Sequence, residues 1–340
     1  MIRMDIRRLQ RIKGGSFTLS LPKSWVEKRK LKRGEQIAVL EEDDGSLRLY
    51  PVTKPLEKPL EVVLALEDYP NLRALEYSVG IYYIQGSNKI DITSKEIIPA
   101  EQKRRLKLLR TDLPGVEIAE EEAKKISFQV LIDPAAFSLK SLIEKTSAFS
   151  LNLQEDAVRS MVEQNFALAE EVLERGKEAQ RHYRMTIRQV ALASLNKSIA
   201  EAVGVRSCQE CITFALIARD LSRLVYHCSS IARHILNIKD ARIDQEILDT
   251  IASMSTVTYE MQAEAVHAFL KRDVKLAVIA MGKMDTIRKR EKTLLTKIMD
   301  ISDVDTAVTL GMIARDLRRI AGYSVAIADD AMNRVLTPIS

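Results

Sequence analysis

Positively charged side chains are concentrated at the front of the chain, and their chemistry is that of binding a polyanion. Residues 1–33 contain eleven Lys and Arg against two acids, a net charge of +9, whereas the whole chain of 340 residues carries only +5. Clustered cations of this kind pair with phosphate groups, and DNA is the first candidate. Strand spacing predicts that Arg7, Arg11 and Lys13 share one face and that Arg8 lies on the other.

A solvated basic tail is the alternative explanation of this charge. Against it, Phe17, Leu19 and Leu21 alternate with short polar residues, which is the period of a half-buried strand. Pro22 then opens a short helix, and the segment 43–46 is a hairpin turn signal. We predict strand, strand, short helix, strand, strand over residues 4–51. So few residues bury little core alone, and a second copy is the simplest supplement.

Composition bounds the rest of the chain. It contains no apolar run of about 18 residues and no apolar leader, so no membrane insertion and no signal peptide are expected. Three cysteines suit a reducing compartment, which predicts a cytoplasmic protein. Cys208 and Cys211 could form a redox or metal pair, but their helical surroundings favour buried core residues. Four scattered histidines and no nucleophile motif argue against an enzyme, and no cofactor or metal is predicted.

The segment 56–136 follows a linker that contains Pro55 and Pro59, and it alternates apolar strands with helices. We predict a small α/β domain without a glycine-rich phosphate loop. Its role is open between a spacer and a ligand-sensing domain, and the spacer is favoured. The acidic run Glu120–Glu122 is interpreted as a solvated turn.

The remainder is helical in pattern and internally repeated. No proline occurs between Pro134 and Pro338. The segment that begins Ile217-Ala-Arg-Asp-Leu returns 96 residues later at Ile313, and a second similarity lies at an offset of 108. We therefore predict two tandem three-helix units, residues 138–240 and 241–340.

The front of the chain resembles the AbrB-like (SpoVT-AbrB) swapped-hairpin DNA-binding domain. The resemblance is carried by the stretch Thr18–Lys23, the short helix after it, Leu31-x-x-Gly34-Glu35 and the closing hairpin, and it covers residues 1–52. It implies a homodimer in which two chains interleave their hairpins into one β barrel, with basic residues facing DNA. The implied DNA-binding residues are Arg7, Arg8, Arg11, Lys13 and Lys23, with Lys28 and Arg29 on the short helix.

The duplicated Ala-Arg-Asp-Leu-x-Arg segment resembles the PhoU family of phosphate-uptake regulators. Together these resemblances imply a multidomain α+β protein: an AbrB-like barrel, a small α/β middle domain and an all-α pair of three-helix bundles. The implied function is a dimeric DNA-binding transcriptional regulator of phosphate uptake or homeostasis of the archaeal type. The alternative is an adaptor that inhibits a phosphate transporter or signalling protein by direct contact, with the front domain used mainly for dimerisation.

One departure from the PhoU pattern concerns metal. Relatives carry a Glu-x-x-x-Asp pair in each repeat, and these acids hold metal clusters. The matching positions here are Ser222 and Tyr226, then Arg318 and Gly322, so all four carboxylates are gone. Asp220 and Asp316 persist beside arginines, and we expect them to form ion pairs or helix contacts.

Overall fold

A computed structural model of the protein describes residues 6–12, 14–41, 45–52 and 60–336. The chain divides near residue 58 into two compact units. Within the described residues, no helix is both long enough and apolar enough to cross a membrane.

The front unit follows the predicted order of elements. A hairpin of two strands, each two residues long, comes first. Gly14 and Gly15 at its turn have φ of 119° and 98°, a backbone conformation that favours glycine. A short helix and a longer hairpin follow. The elements are β1 Gln10–Arg11, β2 Phe17–Thr18, α1 Lys23–Lys28, β3 Ile37–Glu41 and β4 Leu47–Pro51.

The second unit begins with the predicted α/β layer. Its sheet contains β5 Glu61–Ala65, β6 Lys89–Thr93, β7 Val116–Glu122 and β8 Lys125–Val130. The strand order is β5-β6-β8-β7, in which β5 and β6 are parallel and the other pairs antiparallel. Tyr83 and Phe128 are fully buried between the sheet and its helices. The helices are α2 Leu72–Ile84, α3 Ala100–Lys107 and α4 Leu109–Asp112.

The interpretation of Glu120–Glu122 as a turn is wrong. These residues extend β7 after a register shift between Ile118 and Glu120, and Glu122 pairs with Lys125 in β8. Glu120 also forms an ion pair of 2.6 Å with Lys125. An edge strand exposed on one side tolerates charges when the partner strand supplies the opposite charge.

The rest of the unit is helical and contains the two predicted repeats. The first is α5 Leu139–Val162, α6 Phe166–Leu195, α7 Lys197–Val203 and α8 Cys208–Asn237. The second is α9 Gln245–Lys271, α10 Val274–Gly282, α11 Met284–Ile298 and α12 Val304–Leu336. The first repeat has a longer second helix and the additional α7, which accounts for the change of offset between the two sequence similarities.

The two repeats meet through a reciprocal polar seam between α5 and α9. The buried Gln154 amide donates to the Ser255 carbonyl at 2.8 Å and to the Thr258 hydroxyl at 2.7 Å. The equivalent glutamine one repeat later, Gln262, donates to the Ser147 carbonyl at 3.3 Å. Because donors and acceptors exchange places between the repeats, the two units are related by a pseudo-twofold axis.

A buried arginine joins the helical repeats to the α/β layer. Arg188 of α6 is buried, and its Nη1 donates to the carbonyls of Tyr83 at 2.5 Å and Ser87 at 2.9 Å. Its Nη2 donates to the Gly86 carbonyl at 3.4 Å and to Asn88 Oδ1 at 3.1 Å. The last carbonyls of a helix lack intrahelical partners, so this guanidinium caps α2 from the neighbouring layer.

Candidate nucleic-acid interface and helical-core cluster

Six of the seven predicted DNA-binding residues lie in the described part of the front unit, and all six are exposed. Lys13 lies outside the described residues. Arg7 and Arg8 precede β1, Arg11 belongs to it, Lys23 and Lys28 are at the two ends of α1, and Arg29 is the C-cap. Lys23 Nζ lies 3.7 Å from Glu27 Oε1, with both side chains largely in solvent, so this pair neutralises little charge.

The first hairpin holds Arg11 across from Phe17 in its register. Ile12 N donates to the Ser16 carbonyl at 2.9 Å and closes the turn. Because β1 is only two residues long, Arg7 lies ahead of the strand. The expectation that Arg7, Arg11 and Lys13 share one face therefore stays a prediction.

The front unit has almost no core of its own. Among its described residues only Pro51 is buried. Large apolar side chains are instead open to solvent, with Phe17 61% exposed and Leu47 64% exposed. Ile6, Leu9, Ile12, Leu19, Val39 and Val52 are exposed as well. Exposed apolar surface on this scale is typical of a protein–protein contact.

The helical unit contains a second group of chemically active residues, between α8 and α12. These two helices run antiparallel, because residues later in α8 contact residues earlier in α12. His227 stacks on Tyr323 with ring centroids 5.7 Å apart at the centre. Seven residues before and seven residues after His227, an ionisable side chain of α8 lies near an acidic side chain of α12. The two flanking pairs are Asp220 with Asp330 and His234 with Asp316.

Histidines, not arginines, lie closest to Asp316, and its buried Oδ2 has no hydrogen-bond partner among the described residues. His227 Nδ1 donates to Asp316 Oδ1 at 2.8 Å, and His234 Nε2 lies 3.5 Å from Oδ2. Burial lowers the pKa of His234. Asp220 does accept from its neighbour, Arg219, at 2.9 Å, as the sequence predicted. The histidine contacts were not predicted from the sequence. The offset of 96 residues makes Asp220 equivalent to Asp316 and His234 equivalent to Asp330, and this equivalence was a signal that pointed to the cluster.

Asp330 gives a prediction for pH. Burial, followed by the nearby carboxylates of Asp220 and Asp329, raises the pKa of Asp330 to about 7. A raised carboxyl pKa means that the folded state binds more protons than the unfolded state, so stability is lost as pH rises from about 4 to about 7. Asp330→Asn should therefore stabilise the protein at pH 8 by about 2–4 kcal/mol relative to its effect at pH 4. Urea unfolding at the two pH values measures this.

The exposed neighbour Asp329 supplies the control for that experiment. Asp329→Asn removes only a minor cause of the raised Asp330 pKa, so it should change stability by less than about 1 kcal/mol, with the larger effect at pH 8. An Asp330→Asn variant that is destabilised to the same extent at pH 4 and pH 8 would contradict the shifted titration.

The positions of the missing family carboxylates are occupied by other contacts. Ser222 Oγ accepts from Gln180 Nε2 at 3.3 Å, and Arg318 Nε lies 3.3 Å from Glu291 Oε2. Tyr226 is more than half exposed. Among the described residues, no three His, Cys, Asp or Glu side chains group closely enough to hold a metal ion. The absence of a metal cluster stays a prediction, which elemental analysis of the purified protein tests.

Cys211 and Cys228 are buried in the helical core. Cys228 Sγ donates to the Ser150 carbonyl at 3.8 Å, and burial raises the pKa of its thiol to about 12. At that pKa the thiol is almost fully protonated at neutral pH, which lowers its reactivity as a nucleophile.

Comparison with known proteins divides the chain in the same way. A family model described as "Antidote-toxin recognition MazE, bacterial antitoxin" matches residues 10–57. The model of the PhoU domain matches twice, at residues 143–235 and 251–331. Among curated proteins, no sequence matches the chain.

Two solved structures are similar to the helical part. PhoU from Pseudomonas aeruginosa aligns with a TM-score of 0.54 and 18% identity, over 58% of this chain and 95% of that one. The phosphate transport system regulatory protein PhoU from Streptococcus pneumoniae aligns with a TM-score of 0.52 and 16% identity, over 59% and 95%. At these identities the likeness establishes the fold. Because the PhoU domain model matches more than half of its residues in two tandem copies, the chain belongs to the PhoU domain family.

Proposed function

We propose that the protein is a dimeric DNA-binding regulator of transcription that acts in phosphate homeostasis. The observation that carries this proposal is the front unit, in which exposed cations and exposed apolar side chains occur together. The cations account for binding to phosphates, and the apolar side chains account for a second copy of the unit.

The DNA assignment rests on charge and on family similarity. The exposed Arg7, Arg8 and Arg11 precede or belong to the first strand, and Lys23 and Lys28 extend the positive surface along α1. In a dimer this set is doubled, which supplies enough cations to neutralise several backbone phosphates. The similarity to MazE antitoxins, found over residues 10–57, supports a recognition role for the same segment.

The dimer assignment rests on burial. A unit in which only Pro51 is buried among the described residues gains little from its own contacts. Pairing two units through Phe17, Leu19, Val39 and Leu47 would remove apolar area from water on both, at about 25 cal/mol per Å². The swapped-hairpin arrangement of AbrB-like domains is one way to achieve that pairing.

The link to phosphate rests on the helical repeats. The S. pneumoniae protein of the same fold is named as a regulatory protein of a phosphate transport system. A regulator that combines this fold with a DNA-binding unit would act on genes for phosphate uptake.

The adaptor alternative has one specific observation on its side. Val304, Val308 and Met312 form an exposed apolar stripe at the start of α12, and the nearby Met299 is 83% exposed. Contiguous apolar surface on a helix is typical of protein contacts. An adaptor would use this part of the molecule and would not need the basic front.

A salt titration of DNA binding tests the proposal. If the dimer neutralises six or more phosphates, the affinity of the full-length protein for duplex DNA should fall about 10³-fold between 50 and 200 mM salt. Sedimentation of the same sample should give a dimer at micromolar concentration. A dimer whose DNA binding is undetectable at 50 mM salt would contradict the proposal and favour the adaptor, and a monomer with a folded front unit would contradict both.

A further inference from the structure

A cleft lies between the α/β layer and the first helical repeat, outside the surfaces discussed above. Its walls are α2, the α3–α4 pair and α6, and its volume is about 530 Å³. Clefts that bind small molecules in proteins have volumes of about 300–1,000 Å³. All three walls belong to one compact unit, so the cleft is a feature of that unit alone.

Apolar and aromatic side chains line one side of the cleft while open to solvent. Tyr77 and Ile81 of α2 are 61% and 51% exposed, and Leu108, the residue before α4, is 58% exposed. The guanidinium of Arg73 lies over the Tyr77 ring, 5.7 Å from its centroid. Such a surface accepts a flat apolar group, because stacking and burial both stabilise it there.

Three arginines and two carboxylates line the same cleft and leave one net positive charge. Arg105 uses Nε and Nη2 on Glu76, at 2.6 and 2.7 Å. Arg184 Nη1 donates to the Asp112 carbonyl at 3.1 Å and lies 4.0 Å from its carboxylate. Each guanidinium has five N–H donors, so Arg73 and Arg184 keep donors for an anionic group.

A glycine in the middle of α2 forms part of the wall. Gly80 has no positive φ, and a Cβ added there would meet nothing within 4 Å. Neither backbone conformation nor packing therefore requires glycine, which costs a helix interior about 1 kcal/mol relative to alanine. The absence of a side chain leaves room for a ligand against the α2 backbone at this position.

We propose that this cleft binds a small organic anion with an aromatic body. The body would lie against Tyr77, Ile81 and the bare backbone of Gly80, and the anionic group would take the donors of Arg73 and Arg184. Such a ligand would contact both α2 and α6, the same two helices that Arg188 joins. Ligand binding would therefore act on the contact between the α/β layer and the repeats, independently of DNA binding at the front unit.

A fluorescence titration with 1-naphthyl phosphate tests this site in the full-length protein. We expect saturable binding of one molecule per chain, and at least tenfold weaker binding of 1-naphthol and of inorganic phosphate. Arg73→Gln and Arg184→Gln should each weaken the complex at least tenfold. Arg110→Gln, which changes an exposed arginine of α4 outside the lining, should leave it within twofold.

Gly80 supplies a steric pair of variants. Gly80→Leu should weaken 1-naphthyl phosphate binding at least tenfold, whereas Gly80→Ala should change it less than threefold, and both should fold as well as the wild type. Absence of saturable binding, equal affinity for inorganic phosphate alone, or unchanged affinity in Gly80→Leu would overturn the proposal. None of these results depends on whether the front unit binds DNA.

Discussion

Replacing Arg7, Arg8 and Arg11 together with alanine should weaken DNA binding at least 100-fold at 100 mM salt. The three side chains are exposed at the start of the front unit, and dimerisation doubles them to six. Each lost phosphate contact removes about 0.9 from the slope of log affinity against log salt, so the slope should become shallower by about 5. A mobility-shift titration at four salt concentrations measures both quantities.

The control for that variant removes the same net charge elsewhere. Lys275, Lys289 and Lys292 are exposed on α10 and α11, and their joint replacement by alanine should leave affinity and slope within twofold of the wild type. Helical circular dichroism should be the same in both variants. An arginine variant whose salt slope equals that of the wild type would show that these side chains do not contact DNA.

Arg188→Ala should destabilise the second unit by about 3–5 kcal/mol. The side chain is buried and its guanidinium holds three backbone carbonyls and the Asn88 side chain. Its ring contact with Tyr83, 4.9 Å to the centroid, is lost as well. Removing a buried charged donor leaves its acceptors unpaired in a region that water does not reach. For a unit of this size the midpoint of thermal unfolding should fall by about 5–8 °C.

Two further substitutions make the Arg188 result specific. Arg181 is exposed and lies seven residues, about two helical turns, before Arg188 on α6. Arg181→Ala should change stability by less than about 0.5 kcal/mol. Arg188→Lys should recover only part of the loss, because an ammonium cannot reproduce the planar fork of donors. If Arg188→Ala unfolds at the wild-type temperature, then the guanidinium does not hold the two layers together.

Local patterns in the sequence determined the elements and the family. The alternation of Phe17, Leu19 and Leu21 and the glycines of the turn together predict a hairpin. Both signals depend on only a few neighbouring residues. The repeated Ala-Arg-Asp-Leu segment at an offset of 96 predicted two equivalent helical units, because duplication is visible without any knowledge of packing. The net charge of residues 1–33 predicted the candidate interface for the same reason.

Tertiary structure decided which side chains meet. His227 and Asp316 are 89 residues apart and lie 2.8 Å from each other only because α8 and α12 pack antiparallel. Arg188 is one of many arginines in the sequence, and its role as the cap of α2 arises from the contact between α6 and the α/β layer. The cleft around Gly80 likewise exists only because four helices, α2, α3, α4 and α6, pack around it. Contacts of this range depend on how helices are oriented in space, which hydrophobic periodicity leaves undetermined because it specifies one face of each helix and not its partner.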